Sequence, residues 1–160
     1  MRFVLPLLLL LLASNAQAQR WDPVAEVESY LRDAQDMLAR AVDVVPPRDR
    51  SRLQTMTSKA RSARVVDAAG TSRCTGVNAM RAVHNGNTIY VCPNFFNDPG
   101  MSGPNERLHA VVHELAHLAG VPGGNGECEA DRLAHMVMDI NRIRLSASGY
   151  ALRCGGRPRR

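Results

Sequence analysis

The 160-residue sequence carries a formal charge of +5, about 45% hydrophobic residues and only 4% aromatic residues. With so few rings available to stack on bases, we expect no nucleic-acid partner and interpret the excess of arginine as a solvated surface.

The N-terminal segment "MRFVLPLLLLLLASNAQAQR" combines a basic residue, an apolar run and a small-x-small site at Ala16 to Ala18. The apolar run is shorter than the ~20 residues that a membrane anchor needs, so a signal peptide is favoured over a retained anchor. We predict a secretory signal peptide at 1–18, cleaved after Ala18. Residues 19–160 then form one monomeric domain, secreted or periplasmic, with no membrane contact after cleavage and a basic, flexible tail at about 155–160.

Two helices are predicted first. Apolar residues recur every three or four positions from Pro23 to Val45, with Asp22 as the N-cap, and a more polar helix is expected from Arg48 to Arg64. Turn residues then precede "TIYVC", which has the β-branched and aromatic composition of a strand. We expect a loop from Pro93 to Pro104, a helix capped by Asn105 and running to about Ala119, and a last helix over 127–145. The predicted class is therefore α+β and mostly helical.

The centre of the third long helix reads "HELAH". Residues four apart lie on one face of a helix, so His113 and His117 can bind one metal ion while Glu114 lies beside its open coordination position. A glutamate there can accept a proton from water and pass it to a leaving amine. The pattern predicts a zinc site with Glu114 as general acid and base.

A catalytic zinc site needs a third protein ligand. After the glycine turn "GGNG", the first acidic residue is Glu127, which we predict as that ligand. Asp131 lies on the same helix face and is either a carboxylate that orients a histidine or the alternative ligand. His135 continues that face and is a candidate cleft residue, although packing is favoured. His109 is too far from His117 to share its ion; it either supports the ligands from behind or is exposed, and exposure is favoured. His84 is expected at the surface.

The four cysteines are an even count in a chain predicted to be exported, which indicates two disulfides. Sequence alone leaves three pairings open. We favour Cys74–Cys92 and Cys128–Cys154, because each pair brackets a compact piece of chain. A four-thiolate metal site is disfavoured because no Cys-x-x-Cys pair is present.

The order "TIYVCPNFF", "LHAVVHELAHLAG", "GGNGECEAD" resembles the deuterolysin-like and lysine-specific metalloendopeptidases, the aspzincins, over roughly Cys74 to Ala134. The resemblance implies a zincin-like fold, with a small β-sheet or hairpin packed on the HExxH helix and a following helix, and endopeptidase activity with one Zn²⁺ per chain. It matches His113 and His117 to the ligands and Glu114 to the acid/base.

The sequence departs from that family after the zinc helix. Glu127 stands where the family has its ligand aspartate, Ala130 where it has a tyrosine that stabilises the oxyanion, and Asp131 where it has a glycine. "ECEAD" is similar to the Glu-x-x-Ala-Asp segment of glutamate-ligand zincins. Tyr150 and His135 are the candidates to replace the tyrosine, and lysine specificity is not carried over.

Three functions compete. The first is an exported zinc-dependent endopeptidase acting on proteins or peptides. The second is a zincin-like module that binds zinc with weak or no peptidase activity and serves as a binding protein. The third is a basic, disulfide-bonded protein that acts on cell wall or nucleic acid without a metal. The sequence favours them in that order.

Overall fold

The computed structural model of the chain describes residues 22–75, 80–82, 86–146 and 154. Within these ranges it is mostly helical with one small sheet, which confirms the predicted mostly helical α+β class. None of the described helices is both long enough and apolar enough to cross a bilayer. The predicted signal peptide at 1–18, His84, Tyr150 and the tail at 155–160 lie outside the described residues.

The first two helices pack against each other. Helix α1 spans Pro23–Val42 and begins as predicted, since the Asp22 carboxylate accepts hydrogen bonds from the backbone N–H groups of Val24 and Ala25. Helix α2 spans Pro47–Ser62 and buries a narrow stripe, as its polar sequence required. That stripe consists of Asp49, Leu53, Met56, Thr57 and Ala60.

A three-stranded sheet follows, with strands β1 (Arg64–Asp67), β2 (Met80–Ala82) and β3 (Thr88–Val91) in the order β1-β3-β2. Strand β3 is the predicted "TIYV" strand; β1 pairs with it in parallel and β2 pairs antiparallel. Ile89 and Val91 alternate into the core, as the period of two requires. Strand β2 contacts helix α4 (Pro104–Leu118), so the sheet lies against the helix that carries the two central histidines.

The segment between β3 and α4 differs from the predicted loop. It contains a short helix α3 (Asn94–Asn97) and a 3₁₀ turn at Pro99–Met101, because Phe95 is fully buried and anchors the segment in the core. The predicted cap of α4 was also wrong. Helix α4 spans Pro104–Leu118 with Gly103 at its N-cap, while the Asn105 side chain donates to the Arg144 carbonyl instead.

Helix α5 spans Glu127–Ile140 and packs along α4. It ends before the predicted Leu145 because the chain turns at Arg142, which has a left-handed φ of 58°. Helix α2 is tied to both: Arg52 donates to the Ala119 carbonyl after α4, and Arg132 of α5 makes a bidentate ion pair with Asp49.

Both predicted disulfides are confirmed. Cys74 is bonded to Cys92, and Cys128 is bonded to Cys154. The first bond joins the turn after β1 to the end of β3, and the second tethers the first turn of α5. Two such bonds indicate an oxidising compartment, extracellular or periplasmic.

Candidate metal site

Helix α4 presents His113 and His117 on one face near its C-terminus. Their rings meet edge to face with centroids 4.9 Å apart, and their Nε2 atoms are 3.1 Å apart. Both are buried, because α4 is covered by α1, α2, α5 and β2. Two imidazole nitrogens therefore converge on one point inside the protein.

The end of α4 orients His117. Gly120 adopts φ 91°, its N–H donates to the His117 carbonyl, and the Val121 N–H donates to Ala116, which together form a Schellman motif. This turn places the Val121 carbonyl 2.9 Å from His117 Nδ1. Because a carbonyl oxygen only accepts, this contact requires a proton on Nδ1 and so favours the tautomer whose lone pair lies on Nε2, toward His113.

The glycine turn then returns the chain to the same point. A 3₁₀ turn at Gly124–Gly126 leads directly into α5, and Gly126 lies so close to Pro122 that an added Cβ would be 3.0 Å from the proline ring. The carboxylate of Glu127 accepts from the Gly124 N–H. Its Oε2 lies 3.0 Å from His113 Nε2 and its Oε1 3.5 Å from His117 Nε2. The structure thus brings His113, His117 and Glu127 together.

Asp131 lies behind His113 rather than beside Glu127. Its Oδ1 is 3.9 Å from His113 Nδ1, on the opposite edge of the ring from Nε2. His113 is therefore flanked by two carboxylates, one facing each ring nitrogen. Asp131 occupies the position of a group that orients the histidine and favours a lone pair on Nε2.

When no metal is bound, the charges of this cluster shift the pKa values of His113 and Glu127. Burial lowers the pKa of His113, but Asp131, Glu127 and Glu114 outweigh it and raise that pKa to about 9. The hydrogen bond from His113 lowers the pKa of Glu127 to about 2, against the opposing effect of burial. The metal-free site is therefore an imidazolium–carboxylate pair at neutral pH, and a cation must displace the shared proton.

Glu114 follows His113 on α4 and is half-buried. Its charge contributes to the raised pKa of His113. A carboxylate thus lies near His113 without belonging to the group of ligand atoms formed by His113, His117 and Glu127.

The spacing of those three residues fits a metal ion. Bonds of about 2.0–2.1 Å in tetrahedral geometry place ligand atoms about 3.3 Å apart. The observed separations among the two Nε2 atoms and the nearer carboxylate oxygens are 3.0, 3.1 and 3.5 Å. The side chain of Glu127 is 53% exposed, so the point where the atoms converge is open to solvent on one side. The donor set and its geometry can hold a metal ion, with a fourth position left for water or substrate.

A second histidine group lies on the other side of Asp131. His109 is 1% exposed, so the prediction that it is exposed was wrong: it faces α5 across the packed helix pair. Its ring centroid is 4.5 Å from that of His135, and burial together with the neighbouring His135 lowers the pKa of His109 to about 4. His135 therefore groups with His109 and Asp131, not with Glu127. The four-residue steps from 109 to 113 and from 131 to 135 place His109 on the face of α4 that carries His113, and His135 on the face of α5 that carries Asp131. They do not indicate that these two faces meet.

Comparisons with known proteins do not extend this description: no protein-family model matches the chain, and neither the curated proteins nor the solved structures give a match.

Proposed function

We propose that the protein is an exported zinc-dependent endopeptidase of zincin-like architecture, related to the aspzincins and with glutamate as its third ligand. The observation that carries the proposal is the convergence of His113 Nε2, His117 Nε2 and the Glu127 carboxylate within 3.0–3.5 Å of one another. Two imidazoles and one carboxylate with an open position are the donor set of catalytic zinc sites.

The residues around the site have distinct roles in this proposal. His113, His117 and Glu127 hold the ion, while Asp131 and the Val121 carbonyl keep the two imidazoles oriented. Bound zinc supplies a Lewis acid that polarises the scissile carbonyl and makes water a nucleophile near neutral pH. Glu114 accepts the proton of the attacking water and donates it to the leaving amine nitrogen. Peptides reach the site from the exposed side of Glu127.

A zinc-binding module with weak or no peptidase activity is the second candidate, and one observation favours it. Ala130, at the position of the family's tyrosine, is 0% exposed and offers no hydroxyl to an oxyanion. His135, a candidate replacement, faces Asp131 instead. Loss of one oxyanion donor costs about 10²–10³ in rate.

Cleavage assays separate the two candidates. We expect protein purified after export to hold zinc and to cleave an unfolded protein substrate. Glu114→Gln should keep the zinc and lose about 10²–10⁴-fold in rate. Glu28→Gln on the exposed surface of α1 is the matched control and should cleave like wild type. Equal cleavage by wild type and Glu114→Gln would refute the mechanism, and zinc binding without cleavage by wild type would favour the module.

A further inference from the structure

We infer that His109, Asp131 and His135 form a second binding site for a divalent transition-metal ion, separate from the site at Glu127. His109 comes from α4, while Asp131 and His135 come from consecutive turns of α5. One ligand atom from each lies within 4.8 Å of the other two. The inference does not depend on peptidase activity.

The distances are those of ligands around an ion rather than of direct hydrogen bonds. His109 Nε2 is 3.5 Å from Asp131 Oδ1, and His135 Nε2 is 3.6 Å from Asp131 Oδ2. A direct N–H···O bond has its atoms about 2.7–3.2 Å apart. Ligand atoms bonded to one ion at about 2.0–2.1 Å are separated by about 3.3 Å. The two histidines face different oxygens of the Asp131 carboxylate, and one ligand atom of each residue lies within 4.8 Å of the other two. A small inward movement of each side chain brings both imidazole nitrogens and one carboxylate oxygen to bonding distance of a common point.

The charges of this group also favour a cation. The side chain of Asp131 is only 8% exposed, and a buried carboxylate is costly unless a positive charge lies close to it. The basic groups that the described ranges place within 4.0 Å of this carboxylate are all histidines, at positions 109, 113 and 135. An imidazole that binds a metal is uncharged, so the one carboxylate gives this ligand set a charge of −1, which a divalent ion compensates.

Access to the group is provided by His135. Its side chain is 29% exposed, whereas that of His109 is 1% exposed, so an ion enters from the His135 side. The same exposed side leaves space for a water ligand. Two imidazoles and a carboxylate suit zinc and its first-row neighbours rather than calcium or magnesium, which prefer oxygen ligands.

The two sites do not share a ligand atom, but they are coupled. Asp131 faces His113 Nδ1, while His113 Nε2 faces Glu127. An ion bound to Asp131 competes with His113 for the same carboxylate. An ion in the second site therefore leaves His113, a ligand of the first site, less firmly oriented.

Metal counting tests the inference. The full exported protein is stripped with a chelator, titrated with Co²⁺ or Zn²⁺ in a buffer of a competing chromophoric chelator, and assayed for bound equivalents. Wild type should bind two equivalents, while His135→Ala and His117→Ala should each bind one, and the double variant none. Circular dichroism checks that each variant is folded. His135 is partly exposed, so its replacement leaves little cavity.

The outcomes separate the two sites. If His117→Ala loses no equivalent but His135→Ala loses one, the second site stands and the site at Glu127 is wrong. If wild type binds a single equivalent that His135→Ala retains, the second site is refuted. A titration of wild type followed by imidazole NMR provides an independent readout: the second equivalent should shift the Nε2 resonances of His109 and His135.

Discussion

Glu127 Oε2 lies 3.0 Å from His113 Nε2, although the two residues are 14 positions apart and belong to different helices. The contact forms because the Schellman turn at Gly120 and the glycine-rich 3₁₀ turn reverse the chain within a few residues. This contact adds a carboxylate to the two histidines, so that three candidate ligands lie together. The first prediction follows from it.

The two candidate carboxylates should differ in their effect on zinc affinity. Asp131→Asn removes a group that orients His113, which typically costs 10–100-fold in affinity at the Glu127 site. Glu127→Gln removes an anionic ligand and should cost more than that. Competition with a chromophoric chelator measures both variants. A larger loss of the tightest zinc equivalent in Asp131→Asn than in Glu127→Gln would reverse our assignment.

Zinc and protons should compete at His113. Its pKa is raised to about 9 in the metal-free fold and that of Glu127 is lowered to about 2, so the His113–Glu127 pair stabilises that fold fully between about pH 4.5 and 6.5. The contribution is lost as the pH rises through about 9, and also as the pH falls through about 2. Zinc needs the neutral imidazole, so its affinity should rise about tenfold per pH unit from 7 and level off near 9. A chelator competition series at fixed salt measures this slope. A flat profile would show that His113 does not exchange its proton for zinc.

The ion pair between Asp49 and Arg132 should stabilise the packing of α2 on α5. Arg132 holds the pKa of the buried Asp49 carboxyl below its ordinary value. Because the folded pKa is lowered, the contribution is present above about pH 4 and is lost as the pH falls further. Arg132 is 36% exposed, so solvent screening limits the effect to about 1–2 kcal/mol.

Urea unfolding of Asp49→Asn checks this value. The variant should be less stable than wild type at pH 7, and the difference should shrink at pH 3. Asp33→Asn, at an exposed position of α1, is the control and should unfold like wild type at pH 7. A destabilisation by Asp49→Asn that is the same at both pH values would assign the effect to packing instead of charge.

The two disulfides should differ in their effect on the metal site. They close loops of similar length, 18 and 26 residues, so removing either pair by serine replacement should destabilise the fold by about 3 kcal/mol. Only the Cys128–Cys154 bond tethers the residue next to Glu127. Its removal should lower zinc affinity, whereas removal of Cys74–Cys92 should change stability with little change in affinity. Equal losses of zinc affinity in the two double variants would contradict this distinction.

Local signals were sufficient for part of this architecture. The period of the apolar residues and the Asp22 cap predicted α1, and the "HELAH" spacing placed His113 and His117 on one face of α4. The glycine turn predicted that the chain would return to the face of α4 that carries these histidines, and Glu127 lies there in the structure. These features depend on neighbours within a few residues, which is why the sequence carries them.

Long-range packing decided the rest. His109 is buried because α5 crosses α4 at that level, and no local pattern indicates which side chains of two helices will meet. The helix α3 inside the predicted loop depends on the burial of Phe95, and the early end of α5 depends on the turn at Arg142. Parallel pairing of β1 with β3 likewise joins segments separated by β2.

The central claim is that one zinc ion binds between His113, His117 and Glu127. A crystal structure of the zinc-loaded protein, with anomalous diffraction recorded at the zinc edge, tests it most directly. We expect an anomalous peak about 2.0–2.1 Å from both Nε2 atoms and about 2.0–2.2 Å from a Glu127 carboxylate oxygen, with a water in the fourth position. A peak bound by Asp131 together with His113, or no peak beside Glu127 in zinc-saturated crystals, would contradict the account.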